Sequence, residues 1–162
     1  MFQMSQAIPP VRRFAKSQMR SFAKPQMRGL AQCLMTLEAG GKNLSETKAS
    51  AEFSVPDKLR PSLATLMGSA GFRALLSRAL ALAGTEVPWL HAVQVNADGT
   101  LKGLEELHAQ LDPDEYFEGR VVLLAQLLGL LAAFVGEDLT LRLVRNVWPK
   151  LSVSDLNLKK KD

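Results

Sequence analysis

The chain has 162 residues, of which 47% are apolar, so it is long enough for one folded domain with a hydrophobic core and tails. Its single cysteine, Cys33, excludes an intrachain disulfide and a zinc site built from cysteines, so a reducing, cytoplasmic location is expected. The net charge of +4 arises at the two ends, because residues 38–149 hold 10 basic and 14 acidic residues.

Residues 1–54 are predicted to form a basic, low-complexity tail and linker that is disordered. Two copies of an eight-residue repeat, FAKSQMRS and FAKPQMRG, occupy positions 14–21 and 22–29, and two such short copies cannot build a core of their own. An apolar patch over residues 29–37 is sufficient for one or two helical turns. The Arg-rich, acid-poor start also matches an organellar transit peptide, which remains an alternative.

The first 37 residues contain six cations and no acid. Cations interleaved with phenylalanine are typical of a flexible arm that touches nucleic acid or an acidic lipid surface. If the arm binds nucleic acid, the candidate residues are Arg12, Arg13, Lys16, Arg20, Lys24 and Arg28.

An all-α domain of about five helices is predicted for residues 55–150. The first helix begins near Pro56 and carries apolar residues at helical spacing. A turn at residues 68–71 separates it from a second helix over residues 70–83, which Gly84 ends.

The least helical part of the domain follows. Alternating apolar and polar residues over 93–100 predict a small hairpin with an Asp98-Gly99 turn. Leucines at helical spacing from Leu101 to Leu111 predict a third helix that stops before Pro113.

The hairpin region also resembles a calcium-binding loop in part. Gly99 and Glu105 match its sixth and twelfth positions. Gln94, however, replaces the first carboxylate, and Lys102 lies inside the loop. These two departures favour an ordinary turn that leads into a helix.

The stretch from Val121 to Val135 is predicted to be a central helix buried on all sides, because Gln126 is its only polar residue. About 15 residues rise roughly 22 Å, which is short for a bilayer and favours a core helix over a membrane span. A lone amide in apolar surroundings needs a hydrogen-bond partner. Gln126 is expected to find one either across a homodimer or at a backbone carbonyl.

Glu137 and Asp138 open a last helix, which Pro149 ends. Arg142 and Arg145 lie on the face opposite most of its apolar residues. Residues 151–162 are predicted to be a disordered basic C-terminal tail.

Few groups suit catalysis. His91 and His108 are the only side chains with an ordinary pKa near neutrality, and neither has a spacing that holds zinc. The chain contains no nucleophile-elbow, P-loop or dinucleotide-binding motif. No catalytic residue, cofactor or metal is therefore predicted, and the chain is not expected to be an enzyme.

The leading functional prediction is a helical interaction or regulatory module that binds a protein partner, or a second copy of itself, through a helix face. The alternatives are a nucleic-acid-associated protein that uses its basic tails and a membrane-associated helical protein. The mildly acidic domain disfavours a dedicated nucleic-acid domain. Tryptophan and arginine are enriched at binding hot spots, so the candidate partner-binding residues are Trp89, Leu90, His91, Arg142, Arg145 and Trp148.

Overall fold

The computed structural model describes residues 24–40, 43–49 and 53–151, and the fold of these residues is all-α, as predicted. This part of the chain holds six α-helices: α1 (Pro25–Glu38), α2 (Leu44–Ala49), α3 (Val55–Glu86), α4 (Leu104–Gln110), α5 (Pro113–Val135) and α6 (Glu137–Val147). A 3-10 turn (Pro88–Ala92) and a two-stranded hairpin, β1 (Gln94–Val95) and β2 (Leu101–Lys102), connect α3 to α4.

The prediction of a buried central helix is confirmed by α5 for Val121 to Leu131, all of which are buried, but not for residues 132–135, of which Ala133 and Phe134 are exposed. The helix begins at Pro113, where the fixed φ of proline suits the first helical position. The backbone N–H of Asp112 donates to Glu115 Oε1 (3.4 Å) at the same end. α5 packs mainly against α3 and α1, and α6 and α2 also contact it. A helix this apolar is stable in the core because neighbours cover it on several sides.

The assignment of residues 1–54 to a tail and linker is wrong for residues 25–38, which form helix α1 of the core. Pro25 does not break this helix, because its missing N–H costs nothing at the first position. The apolar stripe of α1 is short, and it packs against α5, which lies much later in the sequence. The buried residues of α1 are Met27, Leu30, Ala31, Leu34 and Met35.

The predicted break at residues 68–71 is confirmed at Gly68, which separates two helical stretches of α3, whereas Gly84 does not end the second stretch. Only Gly68 leaves the helical conformation (φ 84°, ψ 160°), so the chain kinks there and continues as a helix to Glu86. The left-handed φ suits glycine, which has no Cβ to clash. Leu59, Leu63 and Leu76 are buried on the inner face of the kinked helix.

The predicted hairpin is confirmed, although its strands have only two residues each. Gln94 pairs with Lys102 and Val95 pairs with Leu101 in an antiparallel register. Within the turn, Asp98 Oδ1 accepts hydrogen bonds from the backbone N–H and the hydroxyl of Thr100 (3.0 and 2.6 Å), and these bonds lower the pKa of Asp98. The carboxylate that a calcium loop would use therefore stabilises the turn.

Candidate functional site

Three of the predicted partner-binding residues, Trp89, Leu90 and His91, lie in the 3-10 turn. Leu90 is buried in the core, which contradicts its prediction as a partner-binding residue. The half-buried indole of Trp89 stacks on Tyr116 of α5 (ring centroids 5.7 Å apart, 22° between planes). Gly119, one turn further along α5, gives this indole its space, since an added Cβ there would lie 2.8 Å from Trp89 Cε2. Tyr116 and Gly119 thus hold the 3-10 turn against the central helix.

The rings of the two histidines contact different helices, α3 and α5. His91 is exposed, and its ring lies over Gly84 near the end of α3, where an added Cβ would be 2.7 Å from His91 Cε1. The ring of His108 on α4 meets Tyr116 edge-on, with centroids 4.9 Å apart. Each imidazole is therefore placed by ring packing.

Trp148, another predicted partner-binding residue, is also a core residue, and only 6% of its surface is exposed to a partner. Its Nε1 donates to Glu38 Oε2 (2.6 Å). The same carboxylate accepts a hydrogen bond from Ser54 Oγ (2.8 Å) and pairs with Lys58 Nζ (3.1 Å). Burial by itself raises the pKa of Glu38, but the three donors outweigh burial and the pKa is lowered. Glu38 thereby joins α1, the start of α3 and the end of α6.

We expect Glu38→Gln to reduce the free energy of unfolding at neutral pH by about 1–2 kcal/mol, because the charged acceptor of these bonds is lost. A lowered folded pKa means that the carboxylate contributes its stability above its ordinary pKa of 4.5 and loses it as the pH falls through the folded value. The difference between the two proteins should therefore shrink below pH 4.5. Urea unfolding from pH 3 to pH 7 measures it.

Glu106→Gln, which changes an exposed carboxylate on α4, is the control and should leave the pH dependence of stability unchanged. A Glu38→Gln protein with the same pH dependence as the unaltered chain would contradict this role for Glu38.

Two of the six cations predicted to bind nucleic acid, Lys24 and Arg28, lie within the described residues. Lys24 is exposed just before α1, whereas Arg28 within α1 bridges Glu86 Oε1 (2.5 Å) and Glu118 Oε2 (3.2 Å). The ion pairs of Arg28 join α1 to α3 and α5. The other four, Arg12, Arg13, Lys16 and Arg20, lie outside the described residues.

Gln126 has its partner within the chain. Its Nε2 donates to Glu86 Oε2 (3.2 Å), the carboxylate that also binds Arg28. The sequence predicted a hydrogen-bond partner for Gln126 either in a homodimer or at a backbone carbonyl. This bond is instead made to the Glu86 carboxylate at the end of α3.

Sequence reasoning missed a buried cation on the central helix. Arg120 is 1% exposed, and its guanidinium stacks on Tyr116 (4.4 Å to the ring centroid). Its Nη2 donates to the backbone carbonyls of Thr47 (3.4 Å) and Lys48 (3.2 Å) in the last turn of α2. Burial lowers the pKa of Arg120 to about 10, so it stays charged at neutral pH. The cation is well placed there because carbonyls at a helix C terminus are partly negative. The only sequence signal was its position beside the apolar stretch.

An open groove of about 660 Å³ lies between α1, α2 and the first turns of α5. Cys33 and Leu37 line it on α1, and Phe117 lines it on α5. Lys48 of α2 crosses its edge and pairs with Asp114 (3.0 Å). Its size suits a small ligand, and its lining combines apolar surface with one ion pair.

The last helix, α6, carries the predicted cations on an exposed surface. Thr140 and Val144 are its buried residues, and Arg142 and Arg145 are exposed. Phe134, three residues before the helix, is 68% exposed. Four further apolar residues of α6 are only half-buried: Leu139, Leu141, Leu143 and Val147. Of the six predicted partner-binding residues, His91, Arg142 and Arg145 are exposed.

Comparison with protein-family models, curated proteins and solved structures found no match for this chain. Across residues 24–40, 43–49 and 53–151, no group of three or more histidine, cysteine, aspartate and glutamate side chains could hold a metal ion. In the same part of the chain one helix, α5, is long and apolar enough to cross a membrane, and 72% of its most apolar window is buried. The residues themselves define an all-α bundle with one amphipathic helix that its neighbours cover incompletely.

Proposed function

We propose that this chain is a non-enzymatic helical interaction or regulatory module that binds a protein partner through the outer surface of α6. The observation that carries this proposal is the contrast between two helices. α5 is covered along eleven consecutive residues, from Val121 to Leu131, whereas α6 buries only Thr140 and Val144. Apolar surface left at the edge of a bundle is typical of a binding face.

The charges of α6 support a specific contact. Arg142 and Arg145 are both exposed on the side of α6 away from Thr140 and Val144. Arginine presents five donors in a planar fork and stacks well on other surfaces, which makes it common in interfaces. Half-buried leucines beside two arginines combine apolar contact with polar orientation.

The test is a pull-down from native lysate with the full chain as bait, at low and at raised salt. We expect a protein partner that is still detected at raised salt, although in a smaller amount, because the apolar contacts of α6 are not screened. The Arg142→Glu/Arg145→Glu double variant should retain at least about tenfold less of it, because two favourable charges become repulsive. Quantitative mass spectrometry of the eluates measures the ratio.

The matched control is Arg78→Glu, which reverses an exposed arginine on α3 and should retain the partner. Retention of nucleic acid that salt releases, equally by all three baits, would favour the basic tails instead. Co-flotation with phospholipid vesicles would favour membrane association. Either result without an α6-dependent protein would overturn the proposal.

A further inference from the structure

The outer surface of α6 has opposite charges at its two ends. Asp138 lies near the N-terminal end and Arg145 near the C-terminal end, and both are exposed. At about 100° per residue, Asp138, Leu141, Arg142 and Arg145 fall within an arc of about 100° on the side away from the buried residues. These four residues are called the α6 stripe below.

The α6 stripe is complementary to itself in one orientation. When two identical helices pack antiparallel about a two-fold axis, the N-terminal end of each lies beside the C-terminal end of the other. With the axis midway between Leu141 and Arg142, Asp138 of one copy faces Arg145 of the second copy, and symmetry forms the same pair again. Leu141 then faces the aliphatic stem of Arg142 of the second copy. Parallel packing would instead place arginine beside arginine.

We propose that the partner of the α6 stripe is a second copy of this chain, bound in an antiparallel, two-fold symmetric dimer. This inference rests on the proposed function, since it names the partner of the same surface. Charge complementarity favours a second copy, because both the acid and the base that the contact needs lie on one helix.

The small size of the α6 contact limits the expected affinity of the dimer. α6 has 11 residues and is therefore about 16 Å long. A contact centred on one short helix buries less than a standard interface, so the dimer should be reversible, with a dissociation constant in the micromolar range or weaker. Exposed ion pairs are screened by salt, so dimerisation should weaken as the ionic strength rises.

Sedimentation equilibrium of the purified full chain, over a series of concentrations, tests the proposal. Asp138→Arg and Arg145→Asp should each weaken dimerisation at least about tenfold, because symmetry turns one substitution into two like-charge pairs. The double variant Asp138→Arg/Arg145→Asp should dimerise again. An equimolar mixture of the two single variants should form a heterodimer, because positions 138 and 145 are then both basic in one copy and both acidic in the other, so both ion pairs form.

Two matched variants control for net charge. Arg78→Asp and Glu106→Arg change exposed residues outside α6 and should dimerise like the unaltered chain, with circular dichroism verifying that every variant is folded. A chain that stays monomeric at all concentrations overturns the inference, as do folded single variants that dimerise unchanged or a folded double variant that stays monomeric. If a monomeric chain still retains a different protein through α6, the second copy is wrong and the proposed function stands. If α6 retains nothing, both fail.

Discussion

Gly119→Ala should lower the free energy of unfolding by about 2 kcal/mol, although alanine is a better helix former than glycine by about 1 kcal/mol. The added Cβ would lie within van der Waals distance of two carbons of the Trp89 indole, 2.8 Å from Cε2 and closer still to Cζ2. Stacking on Tyr116 and the tether to the 3-10 turn restrict how far the indole can retreat. Urea unfolding followed by tryptophan fluorescence and circular dichroism measures the loss.

The control for this substitution is Gly71→Ala in α3. The Cβ added there lies 3.0 Å from Met67 Cγ and 3.1 Å from Met67 Cβ, which is a milder overlap than that with the Trp89 indole, so Gly71→Ala should cost less stability than Gly119→Ala. In a Trp89→Leu background, Gly119→Ala should reduce the free energy of unfolding by less, because the smaller side chain leaves room for the added Cβ. Equal losses from Gly119→Ala in both backgrounds would show that the indole is not the cause.

Arg120→Ala should cost about 3 kcal/mol of the free energy of unfolding. The substitution leaves a cavity beside Tyr116 and removes the donor that reaches the carbonyls of Thr47 and Lys48. Helix α2 has only six residues, too few to be stable in isolation, so it depends on such contacts with α5. Thermal and urea unfolding measure the loss.

Three further variants separate the roles of the Arg120 side chain. Arg120→Met keeps most of the volume but no donor, and should cost about 1–2 kcal/mol. Arg120→Lys should not restore full stability, because an ammonium cannot stack as a planar guanidinium does. The exposed Arg78→Ala should change stability by less than about 0.5 kcal/mol. An Arg120→Met protein as stable as the unaltered chain would show that the hydrogen bonds of the guanidinium contribute nothing net.

Much of the architecture was predictable because it depends on patterns within one segment. The run from Val121 to Val135 is apolar on every side, which favours a buried position, and residues 121–131 are buried. The hairpin was predictable from the Asp98-Gly99 turn and from the alternating apolar and polar residues around it, because a turn depends on a few neighbouring residues. The amphipathic pattern of α6 likewise placed Arg142 and Arg145 on an exposed face.

The candidate interface was only partly predictable. The sequence around a tryptophan next to a proline does not show whether its indole is exposed or buried. Trp89 and Trp148 both pack within the fold. The exposed Phe134 carried no signal of its own, because it belongs to the same apolar stretch as the buried Leu131. Which apolar residues remain uncovered depends on where the neighbouring helices end.

The sequence by itself determined the class of the fold, the central helix and the charges of α6, because each follows from residue type and spacing along one element. Tertiary structure alone decided that residues 25–38 belong to the core, that Gln126 bonds Glu86, and that Arg120 is buried against α2. In each of these cases the partner lies 40 or more residues away along the chain. Burial and hydrogen bonding at such separations depend on how the helices pack, which a local pattern does not contain.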